Sequence, residues 1–256
     1  MTVRLYAMTC GWVTMRMRAI LDGEGDKDST LVVPVPSYLI EHPRGRVLFD
    51  SGLNLAVQHD YDGYMGRLTK YMQAELKPGE ELVSCLKRLD RDIADIDYLV
   101  NSHLHFDHCG GNGEVPNAAV VVQKPEWEYA QSRDPEKPTG YKREDYDHGQ
   151  DVKQVSGEHD IFGDGRVVCI PTYGHTPGHQ SLKVRHDGGE VVLAGDACYL
   201  RQTLDNLHLP AIVHDREQMI ASLHVLRGLQ ARGARIYYGH DPEFWQTVPQ
   251  APAEMV

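Results

Sequence analysis

The chain has 256 residues, 41% of them hydrophobic and 25% charged, a composition ordinary for a soluble globular protein and sufficient for one buried core. Its 26 Lys and Arg against 37 Asp and Glu leave a formal charge of −11, which argues against a surface that tracks a nucleic acid backbone, because like charges repel. The N-terminal MTVRLYAMTCGWVTMRMRAI has no apolar run long enough for an export signal or a membrane span, and the five scattered cysteines contain no C-x-x-C pair, so the expectation is a cytoplasmic protein with reduced thiols.

In chain order, the runs Val3 to Met8, Trp12 to Arg18, Val35 to Glu41 and Arg46 to Asp50 are rich in β-branched and aromatic residues and read as antiparallel strands. Glu80 to Asp90 sets Leu82, Val83, Leu86 and Leu89 at helical spacing, and Asp97 to Ser102 follows as a buried strand. The step repeats with Ala119 to Gln123 as strand and Pro125 to Gln131 as helix. Further strands are expected at Arg166 to Pro171, Ser181 to Arg185, Glu190 to Ala194 and Ala234 to Tyr238. The longest helix is expected from an Asp215 N-cap to about Gly233, with Met219, Ile220, Leu223, Leu226 and Leu229 as its apolar stripe. Leu53 to Pro78 and Ser132 to Gly165 read as irregular loops. Mixed strands and helices in this order, with no internal repeat, suggest a single α/β domain over residues 1–256 built from two face-to-face sheets covered by helices.

The segment His103-Leu104-His105-Phe106-Asp107-His108 begins where the strand DYLVNS ends. His103 and His105 are two apart, so an extended backbone points both to one side, and Asp107 and His108 follow at a turn. Three later apolar strands end alike, in Tyr-Gly-His175, Gly-Asp196 and Gly-His240, each candidate directly after a glycine that lets the backbone turn closely. One histidine among fourteen is ordinarily a surface or hydrogen-bonded residue. Imidazoles and carboxylates gathered at four strand ends are instead the donor set of a binuclear metal site.

With those residues in hand, H-L-H-F-D-H and the later G-H, G-D and G-H resemble the metallo-β-lactamase-fold hydrolases over nearly the whole chain. SHLHFDHCGGN, TPGHQSL and D-A-C-Y after Gly195 most resemble the N-acyl homoserine lactonases, which degrade bacterial quorum signals. The resemblance implies an αββα sandwich, two mixed sheets flanked by helices, with its site at one edge. It also implies two divalent metal ions, zinc first, with manganese, iron or cobalt compatible with the same ligands. His103, His105 and His175 would hold one ion, Asp107, His108 and His240 the other, and Asp196 would bridge them. His179 competes with His175 in HTPGH; the end of the apolar strand favours His175. Asp50 either orients a ligand imidazole or is a turn aspartate.

The mechanism implied is attack on the lactone carbonyl by a hydroxide shared between the ions, with no covalent intermediate. Tyr199, three residues after Asp196, would stabilise the oxyanion, the alternative being a tyrosine packed beside the sheet. Asp107 would pass a proton to the leaving alkoxide. Tyr61, Tyr64, Met65, Tyr71, Met72 and Phe106 are candidates for an acyl-chain channel or for ordinary core filling. Cys109 and Cys198, beside ligands, read as packing. The partner expected is a small lactone, not nucleic acid or membrane, and the chain a monomer or homodimer. A glyoxalase II-like thioester hydrolase shares the ligands but extends further than the sixteen residues that here follow His240. Hydrolysis of another lactone, of the pyridoxolactone type, is the nearer alternative, and a non-catalytic metal-binding module is opposed by the complete ligand set.

Overall fold

The computed structural model describes residues 2–26, 28–134 and 139–255. The first sheet contains β1 (Arg4–Arg16), β2 (Thr30–His42), β3 (Gly45–Phe49), β4 (Met72–Glu75), β5 (Tyr98–Val100), β6 (Ala119–Gln123) and β7 (Val152–Val155), in the order β4-β1-β2-β3-β5-β6-β7. The second contains β8 (His159–Asp160), β9 (Val167–Pro171), β10 (Gln180–His186), β11 (Gly189–Leu193) and β12 (Arg235–Tyr237), in the order β12-β11-β10-β9-β8. Both are mixed: β4 through β3 pair antiparallel and β3, β5, β6 and β7 parallel, while in the second sheet β11 and β12 pair parallel and the rest antiparallel.

The period of two along each strand sorts side chains between two cores. Val47, Phe49, Val100 and Val121 face inward and share one cluster with Val167, Leu182, Val184, Val192 and Ile236 of the second sheet. Their neighbours Leu48, Leu99 and Val120 point outward and are covered by Leu82, Cys85 and Leu86 of the helix Leu82–Lys87. The helix Arg216–Ala231 starts where expected: Asp215 accepts a hydrogen bond from the Gln218 amide at 3.0 Å, and Met219, Leu223, Leu226 and Leu229 are buried. Among the described residues no helix is long and apolar enough to cross a membrane.

The differences from the sequence reading are local. Val3 to Met8 and Trp12 to Arg18 are one strand interrupted by a bulge between Thr9 and Trp12, and the strand stops at Arg16 because Met17–Ile20 turns into a short helix. Leu53 to Pro78 contains the helices Ala56–His59 and Tyr61–Met65 and the edge strand β4, and Ser132 to Gly165 contains the helix Arg143–Tyr146 with β7 and β8. Residues 135–138 of that segment lie outside the described residues. These pieces are two to five residues long, too short for a periodic signal, and tertiary packing decides them.

One such contact is a buried carboxylate. Asp145, with no exposure, accepts hydrogen bonds from the Asn54 amide at 2.8 Å and the Tyr64 hydroxyl at 2.7 Å, tying the 54–65 segment to the helix Arg143–Tyr146. Burial outweighs these donors and pushes its carboxyl up to about 7. The folded state therefore binds the proton more tightly than the unfolded chain. The stabilisation is complete below the ordinary carboxylate value and is lost as pH rises through about 7, at up to about 1.4 kcal/mol per pH unit. Urea unfolding of Asp145→Asn should accordingly show a smaller stability loss between pH 5 and pH 8 than the parent protein; identical pH dependence in the two would refute this.

Candidate metal centre

The carboxyl ends of β9, β11 and β12 meet one edge of the sandwich, and each runs directly into a candidate ligand: His175, Asp196 and His240. The facing edge is formed by β3 and β5, which lie side by side and in parallel, so that Asp50 stands beside Ser102 and the H-L-H-F-D-H turn. The glycines before the ligands are required by close approach. Gly174 has φ +125° and a Cβ there would overlap the Met219 amide; Gly195 has φ +53° and a Cβ would lie 2.9 Å from His179 Nε2.

Two groups of donor atoms converge. In the first, His103 Nε2, His105 Nδ1 and His175 Nε2 form a triangle with sides of 2.9, 3.1 and 3.2 Å, closed by Asp196 Oδ2 at 3.3 Å from His175 and 3.8 Å from His103. In the second, Asp107 Oδ2 lies 3.8 Å from His108 Nε2 and 3.7 Å from His240 Nε2. Asp196 Oδ1 faces this second group, 3.2 Å from His108 Nε2 and 3.0 Å from His240 Nε2. The two oxygens of Asp196 are thus divided between the groups. His179 stands aside: its Nδ1 meets Thr172 Oγ1 at 2.9 Å and its Nε2 accepts the Asp196 amide at 3.0 Å, so it supports the backbone of Asp196 with both nitrogens engaged.

The ring nitrogens turned away from the centre set the tautomers. His108 Nδ1 donates to Asp50 Oδ2 at 2.9 Å, His103 Nδ1 to Ser102 Oγ at 3.0 Å, and His240 Nδ1 to the Pro34 carbonyl at 2.8 Å. Ser102 donates its hydroxyl and its amide to Asp50 at 2.8 and 2.7 Å. Asp50, held at φ +57°, therefore orients His108 directly and His103 through Ser102, which is more than a turn aspartate does. In each of these imidazoles Nδ1 carries a proton and Nε2 points inward.

The residues fit a pair of divalent cations. His108 Nε2, His240 Nε2 and Asp196 Oδ1 are buried without a hydrogen-bond partner, and all three face one shared point. The triangle of nitrogens is close to the roughly 3.3 Å edge that four tetrahedral ligands about 2.0–2.1 Å from zinc would have. Burial, reinforced by neighbouring imidazoles, holds His103 and His175 well below the ordinary imidazole value, and burial takes His105 to about 4, so these three are neutral donors. Burial opposes protonation of His108 and His240 too, yet Asp196 and Asp107 carry both upward. The His108 and His240 charges in turn hold Asp196 well below the carboxylate range against its own burial. A cation can replace those protons on the same donor atoms.

The centre forms the floor of a cleft of about 1070 Å³. His105, Asp107, His175, Asp196 and Tyr199 line it, and Tyr71, Met72 and Phe106 stand in its wall as the channel reading requires. Tyr61, Tyr64 and Met65 do not: Tyr64 is occupied with Asp145, Met65 is core, and the Tyr61 hydroxyl accepts the Ala74 amide at 3.3 Å. Sequence reasoning missed Met15, Tyr129, Ile212 and His214 in the same wall, which come from three segments with no shared pattern. It also missed Pro34, whose carbonyl no motif could indicate. Cys109 and Cys198 are fully buried, and Cys198 Sγ donates to the Leu200 carbonyl, consistent with packing.

The metallo-beta-lactamase superfamily model matches residues 30–240. A protein named N-acyl homoserine lactonase AttM from Azorhizobium caulinodans is 35% identical over 257 residues, covering 98% of this chain and 97% of its own length. Among solved structures, an N-acyl homoserine lactone hydrolase with N-hexanoyl-L-homoserine at its catalytic metal center superposes with a TM-score of 0.89 at 28% identity, covering 100% of both chains. A Phe-to-Trp mutant of AiiA from Bacillus thuringiensis, with N-decanoyl-L-homoserine at its active site, gives 0.89 at 27% identity, again with 100% of both chains covered.

Proposed function

Because the chain belongs to the metallo-β-lactamase superfamily and, within it, to the N-acyl homoserine lactonases, we propose that it opens the ring of N-acyl homoserine lactones at the centre described above. The ligands would be His103, His105 and His175 on one side, Asp107, His108 and His240 on the other, with Asp196 between. The observation that carries this reading is the division of the Asp196 carboxylate between two buried donor groups at the floor of a largely apolar cleft. Mixed imidazole and carboxylate donors in a tetrahedral arrangement favour zinc over harder cations. Bound there, two divalent ions would acidify water toward neutrality and polarise the ester carbonyl.

The chain's own residues complete the chemistry. His175 presents Nε2 to the centre, so its Nδ1 carries the proton and donates to the Tyr199 oxygen 3.4 Å away. The phenol hydrogen then faces the Asp196 carboxylate and can turn to a carbonyl oxygen in the cleft. Burial, aided by the Asp196 and Asp107 carboxylates, raises the phenol well above its ordinary value, so Tyr199 stays a neutral donor throughout the physiological range. Asp107, at the cleft floor, would accept a proton and return it to the leaving alkoxide. The apolar wall of Tyr71, Met72 and Phe106 holds the acyl arm away from water.

The test compares N-hexanoyl-homoserine lactone, S-lactoylglutathione and a β-lactam as substrates of the parent protein and of Tyr199→Phe. The lactone should be turned over fastest. The variant should lose about 100-fold in kcat with metal content unchanged, the low end of the range for removing one oxyanion donor. Preference for the thioester would overturn the assignment, and full activity of Tyr199→Phe would remove Tyr199 from the mechanism.

A further inference from the structure

Glu126, on the helix Lys124–Gln131, is a carboxylate with no exposure, and it stands outside the cleft wall. Its Oε1 accepts hydrogen bonds from the Leu104 amide at 3.0 Å and the Tyr141 hydroxyl at 2.8 Å, and its Oε2 accepts the Gly178 amide at 3.2 Å. Leu104 lies between His103 and His105. Tyr141 packs its ring 4.6 Å from that of His105, and the neighbouring Gly140 carbonyl accepts the Phe106 amide at 2.8 Å. Gly178 lies three residues after His175, in a loop pressed so closely on the helix that a Cβ there would overlap the Glu126 amide. One buried acceptor therefore gathers three donors from three segments, with the Thr176 side chain beside His175 facing it as well, and those segments carry or cover the three imidazoles of the first group. The second group is braced elsewhere, by Asp50 on His108 and by the Pro34 carbonyl on His240.

We propose that Glu126 is a positioning residue that sets the spacing of His103, His105 and His175, and so governs the affinity of one of the two cation positions and not the other. This rests on the ligand assignment made under Proposed function. A carboxylate is needed because all three partners donate, and only an acceptor-only group satisfies them together. In Glu126→Gln the amide nitrogen must face at least one donor. The orientation that loses least keeps Leu104 and Tyr141 on the oxygen and turns the nitrogen toward the Gly178 amide. The loop of His175 is thereby released while His103 and His105 stay in place.

The experiment measures zinc per chain during titration with a chelator, for the zinc-loaded parent protein, Glu126→Gln and Tyr141→Phe, alongside the thermal unfolding of each metal-free form. The parent should hold two ions. Glu126→Gln should release one of them at a chelator concentration about 10- to 100-fold lower, the usual cost of losing support behind a ligand, and keep the other as tightly as the parent. Tyr141→Phe removes one of the three donors and keeps the carboxylate, so it should shift the same ion in the same direction by less, and it carries the test if Glu126→Gln does not fold. Selective loss of one ion without a matching drop in the unfolding temperature of the metal-free protein is a result that mere structural support would not produce. Release of both ions in parallel, or of neither, overturns the proposal. A parent protein that binds no zinc refutes the ligand assignment itself, which is a separate failure.

Discussion

Asp196→Asn is expected to lower kcat/KM for N-hexanoyl-homoserine lactone by a factor on the order of 10³ and to reduce the metal content below two ions per chain. The carboxylate faces His175 and His103 with Oδ2 and His108 and His240 with Oδ1, all within 3.0–3.8 Å. Asparagine preserves the shape but turns one oxygen into an N–H donor, which cannot coordinate a cation and points at an imidazole lone pair. It also removes the negative charge against which the buried His108 and His240 are balanced. If the site holds two cations, it would lose the carboxylate that faces both donor groups, and with it several kcal/mol of charge stabilisation in the transition state. The check is steady-state kinetics together with elemental analysis of the same preparation. Activity within threefold of the parent, with two ions retained, would mean that Asp196 does not link the two groups.

Complete removal of metal has the largest expected effect. After exhaustive chelation, lactone hydrolysis should fall by a factor on the order of 10⁴ or more, and zinc or manganese added back should restore it. The cluster contains no nucleophile of its own to fall back on: Cys109 and Cys198 are buried and raised well above the ordinary thiol value by that burial. The metal-free protein should also unfold at a lower temperature, since cations that bind only the folded arrangement stabilise it by about 4 kcal/mol at a thousandfold excess over their dissociation constant. Elemental analysis must accompany the assay, and undiminished turnover in demonstrably metal-free protein would sink the mechanism.

Glycine before His175 and before Asp196 shows why so much of the centre was legible. A ligand at the end of a strand needs a tight turn, and a tight turn against packed backbone needs a residue without Cβ, so chemistry and conformation left a joint mark. The long elements were equally readable. Ala119–Gln123 has the predicted bounds, and the Asp215 cap opens the predicted helix, because burial on a regular period is written into consecutive residues. The bulge in β1, the short helices of the 54–65 segment and the helices Arg201–Asn206 and Pro242–Trp245 were not readable, as each is shorter than the window over which a period can be counted.

The amino-acid sequence alone determined which side chains could bind metal, that they sit at strand ends, and which family the chain resembles, because these depend on residue type and local spacing. Only the tertiary structure brought His175, and not His179, among the converging donor atoms, gave Asp50 its two hydrogen bonds to Ser102, set the Pro34 carbonyl against His240 across 206 residues, and hid Glu126 behind three loops. Those are contacts between segments distant in the chain, several of them made by backbone atoms that every residue carries, and no pattern of side chains records where a backbone group will be brought.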